Sequence, residues 1–312
     1  MKTSRHLIKL MVAAALATGT LSYSLSTLSP AQAQVTQNMG SGTIDWTSGN
    51  LKVTGSGAPP SKGSAAQKRL MARRAAVADG YRQMAELING VRVDSETIVK
   101  DFVTESDTIK VKVSALIKGA QIGDTRYLSD GSVEVDMRLG MYGANSLSSV
   151  IQPTFLEEHK QEQITPIPTR TATPTRTPEP TPVKTSEPPI DPVVVDSGDS
   201  YTGLIIDCKG LGVAPGMSPM IMDSNGKEVY IGDRPIDPDM VVQIGIVGYL
   251  KTMSEAKASS RVGKNPLVIR ASRAGGKTKV DAVISSSQAQ MLLQADGRKS
   301  FLAESKVVFI ID

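Results

Sequence analysis

The sequence is poor in the residues from which most chemical centres are built. Its 312 residues include one cysteine, two histidines and one tryptophan, and aromatic residues make up only 4%. A single cysteine excludes a disulfide framework within the chain, and so small a stock of Cys and His excludes a zinc cluster. So few aromatics argue against a base-stacking surface. No apolar run reaches the roughly 20 residues that a membrane-spanning helix needs. Excess charge is scarce too: 35 Lys and Arg face 31 Asp and Glu, a formal charge of +4. Lys2, Arg5 and Lys9 lie in a segment read below as an export signal, and without them the balance falls to +1. A generally basic, nucleic-acid-binding chain is therefore not expected. What is present is an apolar content of 40%, enough for folded cores, with proline and glycine locally dense. The length allows two modest domains or one large one.

Residues 1–33 have the layout of a secretory signal. Lys2, Arg5 and Lys9 form a positive start, Leu10 to Leu21 a short apolar stretch, and Ala31-Gln32-Ala33 the small-residue cleavage site. Ala31 and Ala33 are the expected processing residues. The apolar stretch is about a dozen residues long, too short for a membrane anchor, and Ser and Thr follow it. The expectation is export to the periplasm or the outer membrane, with no transmembrane segment in the mature chain.

The clearest boundary downstream is Thr165 to Pro192, where nine prolines alternate with Thr and charged residues. Proline fixes φ and removes a donor, so the segment predicts an extended spacer within a polar and Pro/Thr-rich linker spanning residues 144–200. A docking site for a proline-binding module is the other reading. The linker separates a domain at 43–143 from one at 201–312.

In the first domain, Thr43–Thr54 reads as a hairpin turning at Ser48-Gly49-Asn50. A long helix is expected over about Ser64–Ile88, where Leu70, Val77, Tyr81, Met84 and Ile88 recur at helical spacing and seven alanines favour helix and close approach to a sheet. Lys68, Arg69, Arg73, Arg74 and Arg82 decorate its other faces, which read as solvated. A shorter helix is expected near Ser95–Val103. Ile109, Val111, Val113 and Ile117 share one parity, as do Val133, Val135, Met137, Leu139 and Met141, so both runs are read as half-buried antiparallel strands. In the second domain, strands are expected at 204–208, 267–271, 280–285 and 306–311, a hairpin around Asp223-Ser224-Asn225-Gly226, and short helices at 252–260 and 287–295. The fold class is α+β: two small domains, the first a long helix packed on an antiparallel sheet, the second β-rich with short helices, joined by the Pro/Thr-rich linker.

Four constellations invite chemistry. Ala271 to Thr278 (ASRAGGKT) fits a loose phosphate-loop pattern, in which backbone N–H groups surround phosphate and Lys277 reaches its charge. Such a loop should open a helix, yet residues 279–285 read as a strand, so Gly275-Gly276 is expected to be a hairpin turn. Cys208 shares the apolar parity of Leu204 and Ile206, which predicts a buried, inert thiol; pairing between chains is the alternative. His159 falls in a polar run expected to be a solvated helix end. Asp233, Asp237 and Asp239 form an acidic loop that either binds calcium or makes turns. No catalytic, cofactor-binding or metal-binding residue is singled out, and no cofactor is expected.

Two stretches carry a family resemblance. Val53 to Pro60 (VTGSGAPP), Ala72 to Arg82 (ARRAAVADGYR) and Leu87 to Val91 (LINGV) resemble the LPP-type bacterial envelope lipoprotein family, which includes Helicobacter-type outer-membrane lipoproteins, the flagellar motility lipoprotein FlgP and the N-terminal domain of the flagellar assembly protein FlgT. Residues 201–207 (YTGLIID), 210–212, 217–219, 226–230, 265–269 and 307–312 (VVFIID) resemble an uncharacterised module often joined to that domain. The resemblance implies a non-catalytic envelope protein, a structural or assembly component of a periplasmic or outer-membrane complex, with envelope or flagellar basal-body proteins, or further copies of itself, as partners. It carries no catalytic residues over. Many relatives are lipoproteins, whereas no cysteine stands at this cleavage site. A periplasmic small-ligand or cation-binding module, centred on the loops near Asp237, is the alternative.

Overall fold

The computed structural model describes residues 33–164, 200–231, 236–297 and 299–312. In the N-terminal half the order is β1 (Thr36–Asn38), β2 (Thr43–Asp45), β3 (Asn50–Gly57), α1 (Ala65–Asn89), α2 (Val99–Glu105), α3 (Asp107–Lys118), β4 (Gln121–Tyr127), β5 (Val133–Gly140) and α4 (Leu147–Ile164). The five strands form one antiparallel sheet, ordered β1-β2-β3-β5-β4. Leu51 and Val53 lie opposite Leu139 and Met137 and turn their side chains to the core, while Lys52, Thr54 and Asp136 take the other face.

Small residues bring α1 close to this sheet. Ala72, Ala76 and Gly80 recur every four residues and are buried. Beneath them, a Cβ on Gly55 would collide with the Ala76 carbonyl, and one on Gly57 with the Ala72 carbonyl. The alanine-rich helix and the glycine-bearing strand are thus two sides of one close contact. The helix starts where Ser64 accepts from the Gln67 N–H and the Gln67 side chain accepts from the Ser64 N–H, a reciprocal cap.

The C-terminal half comprises β6 (Gly203–Asp207), β7 (Ile221–Asp223), β8 (Glu228–Tyr230), α5 (Pro238–Ile244), β9 (Gly248–Leu250), α6 (Met253–Ala258), β10 (Pro266–Arg270), β11 (Arg273–Gly275), β12 (Asp281–Ile284), α7 (Ser286–Asp296) and β13 (Val307–Ile310). One sheet is parallel throughout, ordered β10-β6-β13-β9; the other is mixed, ordered β11-β12-β7-β8. The molecule is α+β, with a long helix on an antiparallel sheet in its first half and a β-rich second half carrying short helices.

Three features differ from the sequence expectations. Residues 109–117 form helix α3, not a strand: Ile109 and Val113 are buried four residues apart, while Val111 between them is 68% exposed. Ser106 caps this helix by accepting from the Ile109 N–H. The partner of β5 is instead β4, a polar edge strand with a bulge between Ile122 and Thr125. Residues 147–164, placed in the linker by composition, form α4, whose Leu147, Ile151 and Phe155 are buried at helical spacing despite Pro153 inside the helix.

The third difference concerns how the halves meet. Residues 33–312 make one compact unit, and a single cluster of buried side chains runs from Val35 to Ile311 through both halves. The proline-rich segment expected to separate the halves lies outside the described residues.

Candidate functional site

The joint between the halves is built from complementary polar groups around an aromatic chain. The Trp46 ring meets Tyr249 edge-on at 5.8 Å, and Tyr249 meets Phe309 at 6.2 Å. The Tyr249 hydroxyl accepts from the Gly216 N–H at 3.0 Å and donates to the Gly216 carbonyl at 2.9 Å. The loop after α1 supplies the rest: the Arg92 and Val93 carbonyls accept from the N–H groups of Met217 and Ser218. From α4, the buried Gln152 amide donates to the Met217 carbonyl and the Ser218 hydroxyl, and its oxygen accepts back from that hydroxyl. Gln152, Met217 and Ser218 find these partners only when the halves are together, which gives the joint its specificity.

One group in the joint is held against its preference. Asp281 is 1% exposed and accepts from the Met220 N–H at 2.9 Å. Burial pushes its carboxyl up to about 6, and the nearby Asp94 and Glu228 carboxylates push in the same direction. The turn before Asp281 docks on the first half: Thr278 donates its N–H to the Ser95 carbonyl and its hydroxyl to the Asp94 carbonyl. Half-buried Arg261 donates to the carbonyls of Ser305 at 2.8 Å, Ile244 at 2.6 Å and Gly245, fastening the end of α5.

Two further features face solvent. On the outer face of the first sheet, Asp136 accepts from Arg126 through both oxygens, at 2.9 and 3.1 Å, and from Thr54 at 2.8 Å, with Lys52 at 3.4 Å. The Arg126 guanidinium, helped by Thr54 and Lys52, holds this carboxyl well below the usual carboxylate range. Between α3, the start of α4 and the end of this sheet lies a groove of about 820 Å³. Its lining combines Lys112 and Arg138 with the amides of Asn50, Gln121 and Asn145 over Leu116, Leu139 and Val150. Among the described residues neither Lys112 nor Arg138 forms an ion pair. No local pattern signals this groove, because its residues come from four separated segments.

The residues singled out from the sequence do not converge. Ala31 lies outside the described residues; the Ala33 N–H donates to Glu255 at 2.9 Å. Lys277 is exposed in the β11–β12 turn, which Gly276 makes possible at φ 74° and which leads into a strand and not a helix. Cys208 is fully buried, and burial pushes its thiol up to about 12. His159 is not a solvated helix end. It sits 3.2 Å from Glu228 and stacks on Phe155, because α4 continues against the second half. Asp233 lies outside the described residues. Asp237 caps α5 by accepting from the N–H groups of Asp239 and Met240, which accounts for its place in the loop. Among the described residues, no three His, Cys, Asp or Glu side chains gather as metal ligands would.

Two family models match the chain. Residues 50–139 match the LPP20 lipoprotein family, and residues 203–312 match the second domain of Treponema pallidum Tp0624. The two matches fall in the order that the resemblance implied, an LPP-type stretch followed by a C-terminal one. No match was found among curated proteins. Among the described residues no helix is long and apolar enough to cross a membrane.

Proposed function

We propose that the protein is an exported, non-catalytic component of the cell envelope, a structural or assembly part of a periplasmic or outer-membrane complex. The match of residues 50–139 to a lipoprotein family supports the envelope setting. The observation that carries the mechanical part is the continuous core from Val35 to Ile311. A body whose halves share one core presents surfaces on both at fixed geometry, which suits a part that positions its neighbours. Its partners are envelope proteins or further copies of itself. A flagellar basal-body setting follows from the resemblance to flagellar family members. Crosslinking in cells, followed by identification of the attached proteins, tests the reading. Recovery of outer-membrane or basal-body components is expected. Purified protein that turns over a substrate, with that activity abolished by changing one polar side chain, would overturn it.

The groove beside α3 favours a second reading, a periplasmic small-ligand module. Its two cations suit an anion and not the calcium envisaged near Asp237. A thermal-shift series with small dicarboxylates and with calcium separates the cases. A rise with dicarboxylates that Arg138→Gln removes supports this reading; no rise with either ligand ends it.

A further inference from the structure

One end of the first half carries charges and apolar groups that neither the core nor the joint uses. Residues 57–78, covering the loop before α1 and the first half of that helix, contain Lys62, Lys68, Arg69, Arg73 and Arg74 and no acidic residue. Among the described residues none of the five forms an ion pair. Arg69 instead lies over the Tyr127 ring at 4.5 Å. The first turn of α1 holds no carboxylate, although the positive end of a helix favours one. Five cations gather around that end against one carboxylate, Asp130, on the far wall of the adjoining groove; the excess positive charge repels itself, and an external anionic surface relieves the repulsion.

Large apolar side chains stand among them. Leu70 is 51% exposed, Met71 49%, Tyr127 49% and Leu128 42%, four of the six exposed large apolar side chains among the described residues. Leu70, Arg73 and Arg74 share a helix face through their three- and four-residue spacing. Tyr127 and Leu128 come from the end of β4 and the turn after it. A groove of about 560 Å³ separates them from α1, with Lys68 and Arg69 on one wall and Pro59 and Pro60 beside it.

We propose that this end of the protein rests on a bilayer rich in anionic phospholipid. Lys68, Arg69, Arg73 and Arg74 meet the lipid phosphates, while Leu70, Met71 and Leu128 enter the boundary between headgroups and acyl chains. Cations interleaved with exposed aliphatic side chains are the composition of an interfacial surface. A nucleic acid would use the cations but not the aliphatic side chains, and the one aromatic face on offer is already covered by Arg69. This inference does not depend on which complex the protein joins.

Co-sedimentation of the full chain with vesicles tests it. Binding is expected to vesicles of phosphatidylcholine mixed with phosphatidylglycerol, not to phosphatidylcholine alone, and is expected to weaken as salt rises. Changing Lys68, Arg69, Arg73 and Arg74 to Gln lowers partitioning about fivefold for each cation removed. The L70Q/M71Q variant keeps the charge and lowers partitioning about tenfold. All these positions are at the surface, and unchanged thermal melting confirms that the variants fold. Absence of binding to phosphatidylglycerol vesicles at low salt would overturn the proposal. So would undiminished binding of L70Q/M71Q together with displacement of the protein from vesicles by an oligonucleotide, the behaviour of a general polyanion surface.

Discussion

The two halves solve the problem of burying a sheet in opposite ways. In the first, β3 alternates buried and exposed residues along its length, and the outward face is kept by the Asp136–Arg126 network. In the second, β13 is buried at every position, because a parallel sheet needs cover on both faces, and β12 inside the mixed sheet is buried throughout as well. About half of β3 is thus free to carry charge, and the edge strand β4 is exposed along nearly all its length. In the second, β6, β12 and β13 are almost wholly committed to packing, and the exposed strand residues are Arg270 and Arg273 on the edge strands β10 and β11.

Substitutions in the two halves sharpen or break this contrast. Phe309→Ala on β13 should have the largest effect, about 3–5 kcal/mol in urea or thermal unfolding. Since the core is shared, signals from both halves should be lost in one transition. Two separated transitions would show that the joint does not couple them.

Asp281→Asn should act next, and through pH. The Asp281 carboxyl titrates near 6 in the folded chain and near 3.9 unfolded. The folded state therefore holds the proton more tightly. The stability this group contributes is full below about pH 4 and is lost as pH rises through about 6. Wild-type protein should lose about 2–3 kcal/mol relative to the Asn variant over that window. Parallel pH curves for the two proteins would refute the burial argument.

Asp136→Asn in the first half should cost less, about 1–2 kcal/mol at neutral pH, with the opposite sign on titration. Its carboxyl is held low, so its contribution is present above about pH 4 and fades as pH falls. Lys277→Ala should change unfolding by less than about 0.5 kcal/mol, as expected for an exposed turn residue.

The same contrast explains what could be read in advance. The antiparallel half announced itself through the alternation in β3 and β5, the alanine repeat of α1 and the turn glycines. Helix α3 was hidden because Ile109, Val111, Val113 and Ile117 are all β-branched and share one parity, although Ile109 and Val113 also satisfy a four-residue repeat. Helix α4 was masked by Pro153 and the polar run after Phe155. The parallel order β10-β6-β13-β9 joins strands far apart in the chain, and no local pattern encodes that adjacency. For the same reason neither the groove beside α3 nor the joint around Asp281 was visible. The caps and turns at Asp237 and Gly276 were legible because their causes lie within a few residues of them.

The described residues on either side of the proline-rich segment belong to one packed core. A single proteolytic cut within that segment would yield two fragments that still elute together under native conditions and separate only in denaturant. The coding sequence could accordingly be divided there and its two products co-expressed, each completing the other as in a split reporter.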